Sequence, residues 1–270
     1  MVLEDAISRL IFLACKLFLI MKIIQITDLH IANEGEDTFG VDVRQNFLDV
    51  LSKAKSYTSG FAVLSGDICF NTGELHIYQW VKSQLDFAGL PYAVIGGNHD
   101  DSKMIAAVFQ AGHLLTGGDL YYKRRIGNNP VLFLETSKGI VSDEQLAWLE
   151  KELSQIKHDA VIFMHHPPVI GGVPHMDINY PLQNMAAVQE VFFNFPHHIS
   201  VFCGHYHVEK VLCKRNLTVH ITPSTYFQMD WHAERFSVDH FRPGFREINI
   251  RPDGVVDSTV VYFEGNKIGA

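Results

Sequence analysis

The chain is poor in cysteine and places none of its cysteines close together. Cys15, Cys69, Cys203 and Cys213 form no C-x-x-C pair. Their spacing excludes a thiolate zinc site and a dense disulfide framework, and it points to a reducing, cytoplasmic compartment. Positive charge is also short. Against 30 Asp and Glu stand 22 Lys and Arg, a formal charge of −8, so the chain has no basic excess with which to coat nucleic acid. A small anionic substrate stays compatible with this balance if its counter-charge is local. Internal repeats, low-complexity tracts and linkers are absent from the 270 residues, of which 47% are hydrophobic and 19% charged; one large globular domain accounts for them best. Three hydrolase signatures are missing too: the G-x-S-x-G nucleophile elbow, H-E-x-x-H and the phosphate-cradling G-x-x-x-x-G-K.

The first twenty residues, MVLEDAISRLIFLACKLFLI, hold an apolar stretch interrupted by Lys16. It is shorter than the roughly 20 apolar residues of a membrane span, and Glu4 and Asp5 stand where a secretory signal carries basic residues. The domain is expected to begin at Met21, giving a leader over 1–20 and a domain over 21–270. A helix lying on a membrane surface is the alternative reading of the leader.

From Lys22 onward, short β-branched runs alternate with amphipathic stretches, the pattern of βαβ units around a buried sheet. KIIQIT, FAVLS, YAVIG, VLFLE, AVIFM and SVFC read as strands. Phe47, Val50, Leu51 and Ala54 fall at helical spacing, as do Leu75, Tyr78, Val81 and Leu85. Ser142 with Gln145 three residues later is a capping-box signature. The tail changes character: KVLCKRNLTVHIT and FREINIRPDGVVDSTVVYF, with a Pro-Asp-Gly turn, predict antiparallel strands.

Polar residues gather where these strands end. Asp28 and His30 follow the first, Asp67 the second, Asn98 and His99 the third, His165 the fifth, and His205 and His207 the sixth. Sites in open α/β sheets form beyond the carboxyl ends of the strands, so these residues are expected to converge. Imidazoles, carboxylates and one amide oxygen suit divalent ions such as Mn, Fe and Zn. Seven ligands exceed what one metal takes. Two metals sharing a carboxylate use them well, and two divalent cations with two aspartates and one hydroxide carry a net charge near +1, enough to hold an anion on an acidic protein.

In order, the motifs are DLH (28–30), GD (66–67), GNHD (97–100), HHPP (165–168) and GHYH (204–207). With them the sequence resembles the calcineurin-like metallophosphoesterases, and most closely the bacterial class III 3',5'-cyclic-AMP phosphodiesterases. GVDVRQNFLDVL, MDINYPLQN, TPSTYFQMD and PGFREINIRPDG extend the likeness. The resemblance implies a four-layer α/β/β/α sandwich with two packed mixed sheets flanked by helices, and a cytoplasmic enzyme with two divalent metals, Fe or Mn first and Zn or Co as alternatives. It implies that Asp28, His30 and His207 hold one metal, that Asn98, His165 and His205 hold the other, and that Asp67 bridges them. His166 is left as a supporting or structural residue. Asn98, His99 and His207 would touch substrate. His99 would stabilise the phosphate or protonate the leaving alkoxide, with Asp100 orienting it, and Gly96 and Gly97 would let the backbone approach.

The expected reaction is hydrolysis of 3',5'-cyclic AMP to 5'-AMP. Glycerophosphodiesters or 2',3'-cyclic nucleotides are the alternative substrates, and a non-catalytic scaffold on the same fold is the rival of another class. A homodimer is compatible with the sequence; nucleic acid is not expected as a partner, and membrane contact only through 1–20. His175, Asn33, Thr225 and Tyr226 are candidate pocket residues. Cys69 and Cys203 read as small buried apolar side chains.

Overall fold

The computed structural model describes residues 21–57 and 60–269. The leader over 1–20 lies outside the described residues, and no helix among those described is long and apolar enough to cross a membrane. In chain order the strands are β1 (Met21–Ile26), β2 (Gly60–Ser65), β3 (Tyr92–Ile95), β4 (Leu115–Thr116), β5 (Asp119–Leu120), β6 (Tyr122–Ile126), β7 (Asn129–Phe133), β8 (Ala160–Phe163), β9 (Ile199–Cys203), β10 (Lys210–Lys214), β11 (Leu217–Ile221), β12 (Gln228–Met229), β13 (Val238–His240), β14 (Gly244–Ile250) and β15 (Val256–Tyr262). The helices are α1 (Val43–Lys55), α2 (Leu75–Ala88), α3 (Ser102–Val108), α4 (Asp143–Gln155), α5 (Pro174–Asn179) and α6 (Met185–Asn194).

Two mixed sheets carry the fold, in the orders β15-β14-β1-β2-β3 and β10-β11-β9-β8-β7-β6. β1, β2 and β3 run parallel through crossover helices α1 and α2, while β14 returns antiparallel on the other side of β1 with Ile23 opposite Ile248. In the second sheet β7, β8, β9 and β11 are parallel, and the edges β6 and β10 are antiparallel. Central strands are buried on both faces, which is why AVIF and ISVFC read as unbroken apolar runs without alternation. Helices flank the pair of sheets, giving the α/β/β/α layering. A polar seam ties the sheets together: the Gln25 amide donates to Ser65 Oγ and to the Cys203 carbonyl, and Thr222 Oγ1 donates to Gln25 Oε1.

Three details depart from the sequence reading. Leu75 is 51% exposed, and Ile77 takes its place on the buried face of α2. The Ser142 side chain caps α4 by accepting from Gln145 N, but the Gln145 amide closes no box; it turns to the main chain of Glu135 instead. β6 was not expected, because Lys123, Arg124 and Arg125 occupy three consecutive exposed positions and hide its periodicity. Such charges protect a sheet edge.

Candidate metal centre

The segments that follow β1 and β2 lie side by side. Asp28 N donates to the Gly66 carbonyl, His30 N to Asp67 O and Ile31 N to Ile68 O, at 3.0, 3.0 and 2.9 Å. The second sheet is bound to the same point, because both Asp28 carboxylate oxygens accept from His205 N at 3.0 and 3.1 Å. To aim side chains at one spot from these tight bends, the backbone adopts left-handed conformations that cost a non-glycine residue energy. Asp28, His30, Asp67, His205 and His207 all have φ between 46° and 68°. Strain is concentrated on the candidate ligands.

Asp28, His30 and His207 bring one ligand atom each within 4.8 Å of one another, and Asp67, His165 and His205 form a second such group. His30 Nε2 and His207 Nε2 are 3.0 Å apart, and His207 Nε2 is 3.4 Å from Asp28 Oδ1. Asp67 stands between the groups, its Oδ2 lying 3.3 Å from His165 Nε2 and 3.8 Å from His30 Nε2. Three imidazoles are fixed by main-chain carbonyls: His165 Nδ1 donates to Ser65 O, His205 Nε2 to Tyr180 O and His207 Nδ1 to Phe227 O. A carbonyl can only accept, so the opposite nitrogen of each ring is left for the site, the arrangement that orients a metal-ligating histidine.

Two further observations fit a pair of ions. His165 Nε2 is buried and, although Asp67 Oδ2 lies 3.3 Å away, makes no hydrogen bond of good geometry among the described residues. Burial opposes charge on His165, yet Asp67 and Asp28 hold its pKa up at about 9. Burial and the neighbouring imidazoles push His30 down to about 3 and His205 down to about 4. Burial resists ionisation of Asp67 too, but His165 and His30 keep it well below its usual range. Two buried carboxylates, Asp28 and Asp67, face the imidazoles of His30, His165 and His207, a mixed oxygen and nitrogen donor set that suits divalent ions. Space is reserved as well: a Cβ on Gly97 would lie 2.3 Å from Asp67 Oδ1 and 2.7 Å from His165 Nε2. Gly96 has no comparable role, since a Cβ there would come no nearer than 3.2 Å to another atom.

The remaining predicted residues divide. Asn98 and His99 line the cavity above the cluster. His99 Nδ1 donates to Asn71 O at 3.0 Å and its Nε2 lies 3.9 Å from Asp67 Oδ2. Asp100 does not orient His99. The tight turn that bonds Asp100 N to Gly97 O points its carboxylate beneath the loop, where it accepts from Ile68 N, Cys69 N, Gly97 N and Tyr78 Oη. It staples the Asp67 loop to the Asn98 loop, and burial with the like charge of Asp67 raises its pKa to about 6. His166 bonds Thr136 Oγ1 and packs on the His205 ring at 4.0 Å.

Above the cluster opens a cavity of about 540 Å³. His175 and Tyr226 line it as expected. Asn33 does not, its side chain being engaged by Glu74 and His76, and Thr225 is fully buried. The sequence reading missed Phe39, Phe70, Asn71 and Phe236 in the lining. The Thr38-Phe39-Gly40 turn next to a quoted segment was the available signal for Phe39; none marked Phe236.

The chain matches the family model for calcineurin-like phosphoesterase over residues 21–209. It belongs to that family. The family is one of hydrolases with a dinuclear metal centre. A "Probable cyclic nucleotide phosphodiesterase" of Fibrobacter succinogenes is 32% identical over 85% of this chain and 89% of its own length. The 3',5'-cyclic adenosine monophosphate phosphodiesterase CpdA of Escherichia coli is 26% identical over 89% of both chains. The glycerophosphodiester phosphodiesterase GpdQ of Enterobacter lignolyticus is 29% identical over 79% of this chain and 81% of its own.

Proposed function

We propose that this phosphoesterase hydrolyses phosphodiesters and that 3',5'-cyclic AMP is its preferred substrate. The observation that carries the reading is the cavity: its floor is the Asp/His cluster, its walls are largely aromatic, and no Lys or Arg among the described residues lines it. Walls without cations suit a singly charged diester on an uncharged nucleoside better than a doubly charged monoester or a polyphosphate. The relatives named for cyclic nucleotides and for glycerophosphodiesters support a diester as the shared chemistry.

In this reading Asp28, His30 and His207 would hold one ion, Asn98, His165 and His205 would hold the other, and Asp67 would serve both, with Fe or Mn as the first expectation and Zn or Co as alternatives. Bound there, two divalent ions would supply Lewis acidity and would lower the pKa of a water. The protein's part is to position and to move protons. The carbonyls of Ser65, Tyr180 and Phe227 hold the imidazoles in one tautomer. His99 Nδ1 is spoken for by Asn71 O, which leaves Nε2 to face a phosphoryl or leaving oxygen, and with Asn98 and His207 it contacts the substrate. The partner is a small molecule.

The test is kcat/KM for cyclic AMP, bis(p-nitrophenyl) phosphate, glycerophosphodiesters and phosphomonoesters with one metal preparation. Cyclic AMP ahead of the other diesters, with little monoester turnover, is the expected order. A preference for a monoester overturns the phosphodiesterase reading, and a preference for glycerophosphodiesters replaces cyclic AMP as the substrate.

A further inference from the structure

Phe39 is a bulky residue at φ 53°, in the left-handed region, followed by Gly40 at φ 72°. An aromatic side chain is a poor choice for that backbone conformation. Its turn is nevertheless fixed: Thr38 Oγ1 donates to Val41 O, and the Asp37 carboxylate accepts from Phe39 N. The ring so presented is 54% exposed, so burial does not account for it. Phe236, from the β12–β13 connection, is 51% exposed, and its ring stacks towards Phe39 at 6.5 Å and 28°. Tyr226 lies nearly parallel to Phe39, at 6.2 Å and 14°. All three line the cavity above the metal cluster, and the Tyr226 ring is 5.6 Å from that of His30. Tyr226 is 2% exposed, and its hydroxyl has no hydrogen-bond partner among the described residues. A buried polar group left unsatisfied is costly unless a ligand meets it.

These groups share a chemistry. Flat, uncharged π-faces from two separate loops converge one ring away from the candidate metal ligands, and no Lys or Arg among the described residues lines the cavity with them. We propose that Phe39 and Phe236 form the stacking platform for the base of a nucleoside phosphodiester, and so determine specificity for a nucleotide over a diester of a small aliphatic alcohol. The proposal rests on the phosphodiesterase reading above. Base–aromatic stacking tolerates any base, because each has a π-face. The platform therefore selects nucleotides as a class.

The experiment uses the full chain loaded with Mn and compares wild type, Phe39→Ala, Phe236→Ala, the double variant and Phe39→Tyr. The substrates are 3',5'-cyclic AMP and glycerophosphoethanolamine, which has no ring. Both side chains are more than half exposed, and thermal melting verifies that the variants fold. The double variant is expected to lose about tenfold or more in kcat/KM on cyclic AMP, chiefly through KM, the scale of one lost stack. On glycerophosphoethanolamine it should stay within about twofold of wild type, and Phe39→Tyr should retain the cyclic-AMP activity. Equal losses on both substrates, or none on cyclic AMP, overturn the platform while leaving the diesterase reading intact. A wild type that cleaves neither diester overturns that reading, and the platform with it.

Discussion

Gly97→Ala tests whether the cluster is built to the dimensions of a metal site. No left-handed φ is required at Gly97, so an alanine is refused there by space alone. Its Cβ would sit 2.3 Å from Asp67 Oδ1, 2.5 Å from Asp67 N and 2.7 Å from His165 Nε2. Ordinary contact begins near 3.4 Å, so the Asp67 carboxylate must retreat by about 1 Å. It cannot do so freely, because Oδ1 accepts from His99 N at 2.9 Å and Asp67 O accepts from His30 N. Overpacking of this kind costs about 1–3 kcal/mol, a fall in Tm on the order of 2–12 °C for a chain of this size. A misplacement of about 1 Å in a catalytic group costs on the order of 10²-fold in rate. Gly112→Ala is the control, since a Cβ there meets nothing within 4 Å. Metal content by mass spectrometry, thermal melting and turnover of a chromogenic diester read the outcome. A Gly97→Ala protein that binds two ions with wild-type affinity and turns over within about twofold of wild type would refute the reasoning, since it would mean the contact is relieved without moving the ligands.

Three further perturbations have defined outcomes. Asp67→Asn keeps an oxygen for His99 N but removes the shared negative charge; it should fold, bind fewer than two Mn ions per chain and lose nearly all activity, and two tightly held ions with full turnover would sink the bridging role. His99→Ala should cut turnover by about 10² to 10⁴ with metal content unchanged, and a leaving group of low pKa such as p-nitrophenolate should restore part of it if His99 is the acid. His220, stacked on Phe202 with a buried Nδ1 that has no hydrogen-bond partner among the described residues, is pushed down to a pKa of about 4 by burial and then by Arg246. The unfolded chain takes up that proton first, so stability is lost as pH falls from about 6.5 to about 4. His220→Phe should narrow the gap between urea midpoints measured at pH 7 and pH 4.5, and an unchanged gap would remove His220 from the account.

Much of the architecture was legible because the central strands are buried on both faces and the crossover helices on one. KIIQIT, FAVLS, YAVIG, AVIFM and SVFC could hardly be anything else, and each ends at a residue of the cluster. The convergence of the Asp and His residues of the cluster was legible for the same reason: a polar side chain immediately after such a strand has one place to point. What escaped were features set by distant contacts. Asp100 looks like a partner for His99 in sequence, yet four donors on three segments claim its carboxylate. Gln145 looks like half of a capping box until the Glu135 main chain is brought beside it. Phe236 is an unremarkable aromatic in a loop until the fold sets it against Phe39.

One consequence of the fold joins the specificity walls to the chemistry. Tyr180 presents its side chain to the cavity and its carbonyl to His205 Nε2, while Phe227 presents its ring to the cavity and its carbonyl to His207 Nδ1. Each wall segment therefore does two jobs with two different parts of one residue. Side-chain substitutions at these positions leave the carbonyls in place and can reshape the pocket without releasing an imidazole. Insertions or backbone shifts in either loop cannot, because they move the acceptor that fixes a ligand's tautomer. On the proposed reading, variation in substrate is thus open to side chains at 180 and 227 and closed to loop length there. On the proposed reading, the half-exposed Phe39 and Phe236 rings, which line the cavity and fix none of the candidate ligands, are positions where substrate preference can change at little cost to the cluster.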